Sequence, residues 1–157
     1  MKKKLLICGA TGFIGRNLTQ HFAQNEQYEI TATHLTRDPW SDAPNIKWVR
    51  ADLRIQEDVD RVVAGQDIII QAAATTSGAG EIVSKPYIHV TDNAVMNSLL
   101  LRSAYENSVK HFVFFSCTIM YPSQAEPIKE QDFDANAPMH DRYFGAGWTK
   151  VYCEKQC

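Results

Sequence analysis

The feature that most constrains this chain is a set of three glycines, Gly9, Gly12 and Gly15, directly after the apolar run at residues 5–8. A short apolar run, a glycine turn and an amphipathic segment predict a buried strand, a tight turn and a helix. In such a unit the first glycine permits the turn, the second lets the backbone approach a pyrophosphate, and the third lets the helix pack on the strand. The helix N-terminus then offers free N–H groups to an anion. The spacing therefore predicts a dinucleotide pocket, the alternative being a purely structural glycine turn.

Strand and helix patterns alternate along the chain, and the run at residues 68–70 consists of three isoleucines, which is typical of a central parallel strand. This alternation predicts an α/β fold, a Rossmann-type doubly wound parallel sheet in three α/β/α layers. We predict strands at 4–8, 29–34, 46–50, 67–71 and 111–115, helices at 13–24, 56–64, 87–107 and 149–155, and a loop at 75–80.

The whole chain, residues 1–157, is predicted to be one NAD(P)-binding domain. A sheet of this type normally continues with further strands. We therefore expect the chain to be the N-terminal part of a longer enzyme, incomplete at its C-terminus and without its substrate domain; a naturally short chain is the alternative.

Composition excludes several other classes. The net charge of −2 gives no reason to expect nucleic acid as a partner, and no apolar stretch is long enough to cross a membrane. The four cysteines form no regular framework, which favours a reducing cytoplasm. The five histidines are scattered without ligand spacing, so we expect no metal site.

Further motifs follow the predicted strand ends. Residues 51–53 read Ala-Asp-Leu, residues 71–74 read Gln-Ala-Ala-Ala, and residues 111–116 lead from an apolar strand to Ser116, with Tyr121-Pro122 after it. Because ligands bind at the carboxyl ends of parallel strands, residues 72–74 and 116–121 are expected to converge on one crevice with the glycine turn.

In this order the motifs resemble the extended branch of the short-chain dehydrogenase/reductase superfamily, the NAD(P)-dependent nucleotide-sugar epimerases, dehydratases and reductases. Asn93 resembles the structural asparagine of that family, and Lys150 with Glu154 resembles its K-x-x-x-E. Residues 77–80, the Ser-Cys…Tyr-Pro loop and residues 126–130 look most like the GDP-fucose synthases. The resemblance assigns cofactor binding to Gly9, Thr11, Gly12, Phe13, Ile14, Gly15, Arg37, Asp52, Leu53, Ala72, Ala73, Ala74 and Lys150.

The resemblance also implies a catalytic tyrosine four residues before the lysine, where a nearby cation lowers the phenol pKa. Here that position is Ala146. The nearest candidate is Tyr143, seven residues before Lys150, at about 10 Å along a regular helix. Gly145 and Gly147 are expected to interrupt such a helix, and a loop or bulge there would bring the Tyr143 phenol back to the site. A packed or capping role for Tyr143 is the alternative.

The family's substrate-fixing hydroxyl lies four residues before the tyrosine of the Tyr-Pro pair, which here gives Cys117. A thiol is a weak donor, so the neighbouring hydroxyls are alternatives, Thr118 ahead of Ser116.

The end of the second strand decides the cofactor. An acidic side chain there would repel a 2′-phosphate, and residues 33–37 contain none, whereas Arg37 can pair with a phosphate. We expect NADP(H), with Arg16 as a second phosphate partner; NAD(H) is the alternative, kept open by Asp38.

Taken together, the resemblance implies hydride transfer between a nicotinamide and a sugar carbon, in a nucleotide-sugar epimerase or reductase. This chain by itself is expected to bind cofactor and turn over little. A non-catalytic dinucleotide-binding or regulatory domain is the alternative, motivated by Ala146. A homodimer through the long helices is a further expectation.

Overall fold

The computed structural model describes residues 2–76, 79–85, 87–122 and 124–157. Within these ranges the strands are β1 (Lys3–Cys8), β2 (Tyr28–His34), β3 (Ile46–Arg50), β4 (Ile68–Gln71) and β5 (His111–Phe114). The helices are α1 (Phe13–Ala23), α2 (Gln56–Val63), α3 (Ala79–Ser84), α4 (Tyr87–Glu106) and α5 (Phe144–Gln156). None of the described helices is long and apolar enough to cross a bilayer.

All five strands are parallel, in the order β3-β2-β1-β4-β5. Leu5 of the central strand β1 pairs with Ile30 on one side and Ile68 on the other. After β3 the chain crosses to the other side of β1 to form β4, so the strand order reverses between the neighbouring strands β1 and β4. The crevice at the carboxyl ends of these two strands is where such sheets bind ligands. The predicted fold class is confirmed.

Alternate side chains of the sheet enter two separate cores. Leu6 and Cys8 pack with Val59 of α2 and Leu100 of α4, whereas Leu5 and its neighbours on the opposite face pack with residues of α1. These side chains of β1 are at most 1% exposed, and burial of each leucine contributes roughly 1.5–3 kcal/mol to stability. Burial on both faces explains why β1 and β4 are continuous apolar runs.

The predicted loop at 75–80 is wrong in part, because α3 begins at Ala79. Ser77 and Gly78 lie outside the described residues. A helix of six residues is too short to show a helical apolar period in the sequence. The pattern of Thr, Ser and Gly therefore predicts a loop where the structure has the start of α3.

The expected interruption of the last helix at Gly145 and Gly147 is also wrong, because α5 runs without a break from Phe144. A Cβ at position 145 would lie 2.8 Å from Cγ2 of Val90, and one at position 147 would lie 2.7 Å from Sδ of Met139. The two glycines therefore allow close packing of α5 on its neighbours.

Candidate cofactor site

The glycine turn is built around Gly9, which has a φ of +69°. A Cβ there would lie 2.6 Å from Cα of Ala73, in the segment that follows β4. Thr33, at the end of β2, fixes the turn from the other side: its Oγ1 accepts from the N–H of Gly9 at 3.0 Å, and its carbonyl accepts from the N–H of Ala10 at 2.8 Å. Three strand ends are thereby held against each other at one point.

The start of α1 sits directly on this turn. A Cβ at Gly15 would lie 2.2 Å from the carbonyl oxygen of Gly9, so only glycine permits this approach. Gly12 precedes the helix with an extended backbone, and no described side chain caps it. The helix N-terminus is therefore open to an anion.

A cleft of about 650 Å³ opens above these strand ends, which is within the range of small-molecule and cofactor sites. Of the residues predicted to bind cofactor, all except Gly15 and Lys150 line it. Gly15 instead packs against the Gly9 carbonyl, within the turn itself. The cleft is also lined by other residues of the segments at 33–37 and 51–53, namely Thr33, His34, Leu35, Thr36 and Ala51. The residues that the sequence did not single out are Arg54, Thr75, Thr76, Asp92 and Met96.

A dinucleotide fits what this structure provides. Gly9 and Gly15 have no room for a Cβ against the neighbouring backbone, so they fix the shape of the turn, whereas a Cβ at Gly12, whose residue lines the cleft, would meet only the Gly9 carbonyl oxygen, at 3.3 Å. The space over Gly12 is therefore free for a phosphate group.

The segment after β4 is fixed by Asn93 of α4. Its side-chain amide accepts from the N–H of Thr75 at 3.0 Å, and donates to the carbonyls of Thr75 at 3.0 Å and His89 at 2.8 Å. This gives the asparagine the structural role that the resemblance implies.

Two arginines, Arg37 and Arg16, are the predicted partners of a 2′-phosphate. Arg37 is exposed and lines the cleft, and its carbonyl lies 3.0 Å from Nδ1 of His34, which closes the turn after β2. The Arg16 guanidinium instead stacks on Trp40, 5.0 Å from the ring centroid, while the Trp40 indole N–H donates to Ala10 at 3.1 Å. Arg16 is not among the residues that line the cleft.

The expectation that the hydroxyl loop shares one crevice with the glycine turn is wrong, because the loop lines a second cleft of about 620 Å³, together with Tyr121 and Glu154. Ser116 donates weakly to Sδ of Met120 at 3.5 Å, and Thr118 begins a 3-10 turn. Burial raises the pKa of Cys117, although the positive charge of Lys150 opposes this effect. The Cys117 thiol is therefore mainly protonated at neutral pH.

Lys150 and Tyr143 lie on α5 and at its start, and neither is among the residues that line the two clefts. The Lys150 ammonium donates to the carbonyl of Phe115 at 2.7 Å and lies 4.6 Å from the Phe114 ring centroid. Burial lowers its pKa below the ordinary value. Tyr143 contacts the His140 ring at a centroid distance of 5.4 Å. Because α5 is regular, Tyr143 stays about 10 Å from Lys150 along the helix axis.

Comparison with known proteins agrees with this arrangement. Residues 5–157 match the profile of a family described as "NAD dependent epimerase/dehydratase family". The chain is 28% identical to the GDP-mannose 3,5-epimerase of Arabidopsis thaliana over 165 residues, covering 98% of this chain and 42% of that protein. It is 33% identical to the GDP-L-fucose synthase of Azorhizobium caulinodans over 133 residues, covering 83% of this chain and 38% of that protein.

Among solved structures, the UDP-Glc/GlcNAc 4-epimerase of Campylobacter jejuni superposes with a TM-score of 0.81 at 20% identity, covering 98% of this chain and 47% of that one. This likeness supports the fold. The chain spans less than half the length of the curated relatives it matches.

Proposed function

This chain belongs to the NAD-dependent epimerase/dehydratase family, and from that premise we propose that it is the cofactor-binding part of a nucleotide-sugar epimerase or reductase similar to the GDP-fucose synthases. The observation that carries the proposal is the cleft formed by the glycine turn and the ends of β2, β3 and β4. When bound there, the nicotinamide cofactor would supply or accept a hydride at a sugar carbon.

In this proposal the glycine turn and the start of α1 hold the pyrophosphate, and the segments after β3 and β4 hold the two nucleoside ends. Support comes from the free space over Gly12, which lines the cleft, and from the uncapped start of α1. Arg37 would take a 2′-phosphate, because this residue lines the cleft and no acidic residue occurs at positions 33–37. NADP(H) is therefore the cofactor we propose over NAD(H).

For the proton transfer we propose Lys150 and Tyr143, with Thr118, Ser116 or Cys117 fixing the substrate oxygen. Lys150 is already oriented toward the strand that carries this loop, since it donates to Phe115. The carbonyl of Phe115 directly precedes Ser116, so the lysine and the loop are next to each other.

Isothermal titration of NADPH and NADH into the 157-residue chain tests the cofactor assignment. We expect binding that favours NADPH, and loss of binding in Gly12→Val, because the added side chain would occupy the phosphate space. Gly80→Val is the matched control, since open space surrounds Gly80 outside the cleft. Equal binding by Gly12→Val, or no binding by the unsubstituted chain, would contradict the assignment.

A non-catalytic dinucleotide-binding domain is the second candidate, favoured by Ala146 at the expected tyrosine position and by the regular α5 that keeps Tyr143 distant. Tyr143→Phe in a full-length form of the protein distinguishes the catalytic from the non-catalytic proposal. Loss of NADPH oxidation with GDP-sugar substrates on this substitution supports catalysis by Tyr143. Activity that appears only in Ala146→Tyr supports the non-catalytic reading.

We also propose that two copies pair through α4 and α5. Tyr87 and Tyr105 of α4 are 62% and 88% exposed, and Tyr152 of α5 is 50% exposed. Burial of such side chains would favour association. A monomer by light scattering at high protein concentration would contradict this proposal.

A further inference from the structure

Gln71, the last residue of β4, is buried although its side chain is polar. It is 2% exposed, and it pairs in the sheet with Cys8 of β1 and Phe114 of β5. A buried amide destabilises the folded state unless its donors and its acceptor find partners. The partners of Gln71 therefore show what this side chain holds in place.

Two hydrogen bonds fix the orientation of the Gln71 amide. Its Oε1 accepts from the backbone N–H of Ala73 at 3.1 Å, and its Nε2 donates to Oδ1 of Asn97, on α4, at 2.9 Å. Nδ2 of Asn97 in turn donates to the carbonyl of Asn93 at 2.7 Å. We call these three groups the amide chain. Because a backbone donor stands at one end and a backbone acceptor at the other, the amide chain can run in only one direction.

The amide chain acts on the segment that follows β4. Gln71 holds this segment at Ala73, and the Asn93 side chain holds it at Thr75. Ala73 is also the residue whose Cα lies against Gly9 of the glycine turn. The segment is therefore fixed at two points and packed on the turn, while its residues line the cofactor cleft.

The strand order decides which part of a dinucleotide lies over this segment. β4 is on the opposite side of β1 from β2 and β3. With the pyrophosphate over Gly12 and a 2′-phosphate at Arg37, after β2, the adenosine end of the molecule lies over β2 and β3. The nicotinamide nucleoside then lies over the segment after β4. This step rests on the proposed cofactor function.

We propose that Gln71 and Asn97 are positioning residues for the nicotinamide end of the cofactor. Neither is among the described residues that line the cleft, so both act through the backbone of the segment after β4. Without the amide chain the Ala73 N–H loses its partner, and the segment no longer presents one fixed surface to the nicotinamide nucleoside. The adenosine end keeps its contacts, because other strands hold it.

The test compares NADP⁺ with 2′-phospho-ADP-ribose, which lacks only the nicotinamide ring. Dissociation constants are measured by isothermal titration at about pH 8 for the unsubstituted chain, Gln71→Met and Gln71→Glu. Methionine cannot replace either hydrogen bond, and a carboxylate accepts from Ala73 but sets an acceptor against Oδ1 of Asn97. We expect both substitutions to weaken NADP⁺ binding about 5-fold more than binding of the analogue.

Gln71→Glu adds a readout that a merely structural role would not change. Burial raises the pKa of a carboxyl, so at about pH 5.5 the introduced group takes up a proton and gains an O–H donor for Asn97. The ratio of the two dissociation constants should then return to within about 2-fold of the unsubstituted chain, whereas Gln71→Met should not recover. The 2′-phosphate occurs in both ligands, so its titration cancels in the ratio.

The other titratable groups around residue 71 do not change this comparison. Burial raises the pKa of Cys8, its neighbour on β1, to about 12, so this thiol keeps its proton at both pH values. His89 and Asp92 lie close to Asn93 on α4 and occur in every variant. The unsubstituted chain, measured at both pH values, accounts for their titration.

Gln66→Met is the matched control. Gln66 precedes β4, its Nε2 donates to Oγ1 of Thr31 at 3.2 Å, and it is not among the described residues that line the cleft. Its ratio should equal that of the unsubstituted chain at both pH values. Asn97→Asp keeps the acceptor for Gln71 and loses the donor to Asn93, so it tests the same amide chain if the Gln71 variants do not fold. Its ratio should shift in the same direction at the higher pH and recover at the lower one.

Equal weakening of both ligands in these variants, with the ratio unchanged, would show that the amide chain only stabilises the domain, and would overturn this inference. A shift in Gln71→Glu that persists at the lower pH would also overturn it, because the donor to Asn97 would then not position the segment. Both results leave the proposed cofactor function intact. Failure of the unsubstituted chain to bind either ligand would overturn the cofactor function and this inference with it.

Discussion

At the scale of single residues, Gly9 and Gly65 have nearly the same backbone but different surroundings. Their φ values are +69° and +71°. A Cβ at Gly9 would lie 2.6 Å from Cα of Ala73, whereas at Gly65 the nearest atom is Nζ of Lys4 at 4.0 Å. Gly65→Ala should therefore lower the free energy of unfolding by about 1 kcal/mol, from the strain of a left-handed backbone alone. Gly9→Ala should lower it by about 3 kcal/mol or more, because the contact with Ala73 adds to that strain.

Urea unfolding of the two variants measures this difference, and each serves as the control for the other. Equal losses of unfolding free energy would mean that the contact with Ala73 relaxes without cost. The close approach of the turn to the segment after β4 would then not be what requires glycine.

Lys150 makes stability depend on pH in a defined direction. Burial lowers its pKa below 10.5, so the unfolded chain binds this proton more tightly than the folded chain. The free energy of unfolding therefore increases as the pH rises from the lowered pKa to 10.5. Below that interval Lys150 is charged in both states, and burial of the charge destabilises the folded state to its full extent. The stability of the unsubstituted chain relative to Lys150→Met should therefore rise as the pH is raised from the lowered pKa toward 10.5.

Paired urea titrations at each pH test this expectation, since most other titrating groups cancel in the comparison. Lys150→Met keeps the length of the side chain in contact with Phe114. A relative stability that is constant or falls with pH would show that the hydrogen bond to Phe115 outweighs desolvation.

At the scale of elements, the packing of α5 on α4 depends on Gly145. In most helices Gly→Ala is stabilising by up to about 1 kcal/mol. Here the new methyl would lie 2.8 Å from Cγ2 of Val90, so the gain should be lost. In a Val90→Ala background the clash is removed, and Gly145→Ala should then be more favourable by about 1 kcal/mol than in the unsubstituted chain.

The double-mutant cycle is measured by thermal or urea unfolding. Additive effects of the two substitutions would contradict the close packing of these helices. Gly147→Ala is a related comparison, because its nearest neighbour is the flexible side chain of Met139 rather than a branched one.

The strands were predictable from the sequence, and the limits of the prediction have a physical cause. β1 and β4 are buried on both faces, so their residues form apolar runs that local patterns reveal. The uninterrupted start of α5 was missed because glycine has a poor helix propensity, whereas tertiary packing against Val90 determines its use here. Packing partners distant in sequence are not visible in a local pattern.

Part of the lining of the cofactor cleft was also predictable from the sequence. The glycine turn and the Asp52-Leu53 pair carry local signals, and both line the cleft. The hydrogen bond of Thr33 to the glycine turn and the place of Asp92 in the cleft were not predicted, because they arise from contacts across 24 and 17 residues. Arg54 is the residue that could have been found, since its spacing from Asp52 allows a local ion pair.

At the scale of the whole molecule, the cleft draws its walls from both halves of the sheet. Residues after β1, β2, β3 and β4 and residues of α4 all line it. A ligand bound there contacts segments that must separate on unfolding, so it should bind the folded chain and not the unfolded one. Binding should therefore raise the stability of the domain as a whole.

The size of this effect follows from mass action. At a concentration 100 times its dissociation constant, a dinucleotide should stabilise the folded chain by about 2.7 kcal/mol. For a domain of this size that corresponds to a rise in Tm of roughly 5–10 °C.

Thermal unfolding followed by circular dichroism measures this rise in Tm, with Gly12→Val as the control that should show no rise. An equal rise in Gly12→Val would place the binding site away from the glycine turn. The absence of a rise in the unsubstituted chain, under conditions where titration shows binding, would mean that the state populated on heating still binds the ligand, so that the walls of the cleft do not separate on unfolding.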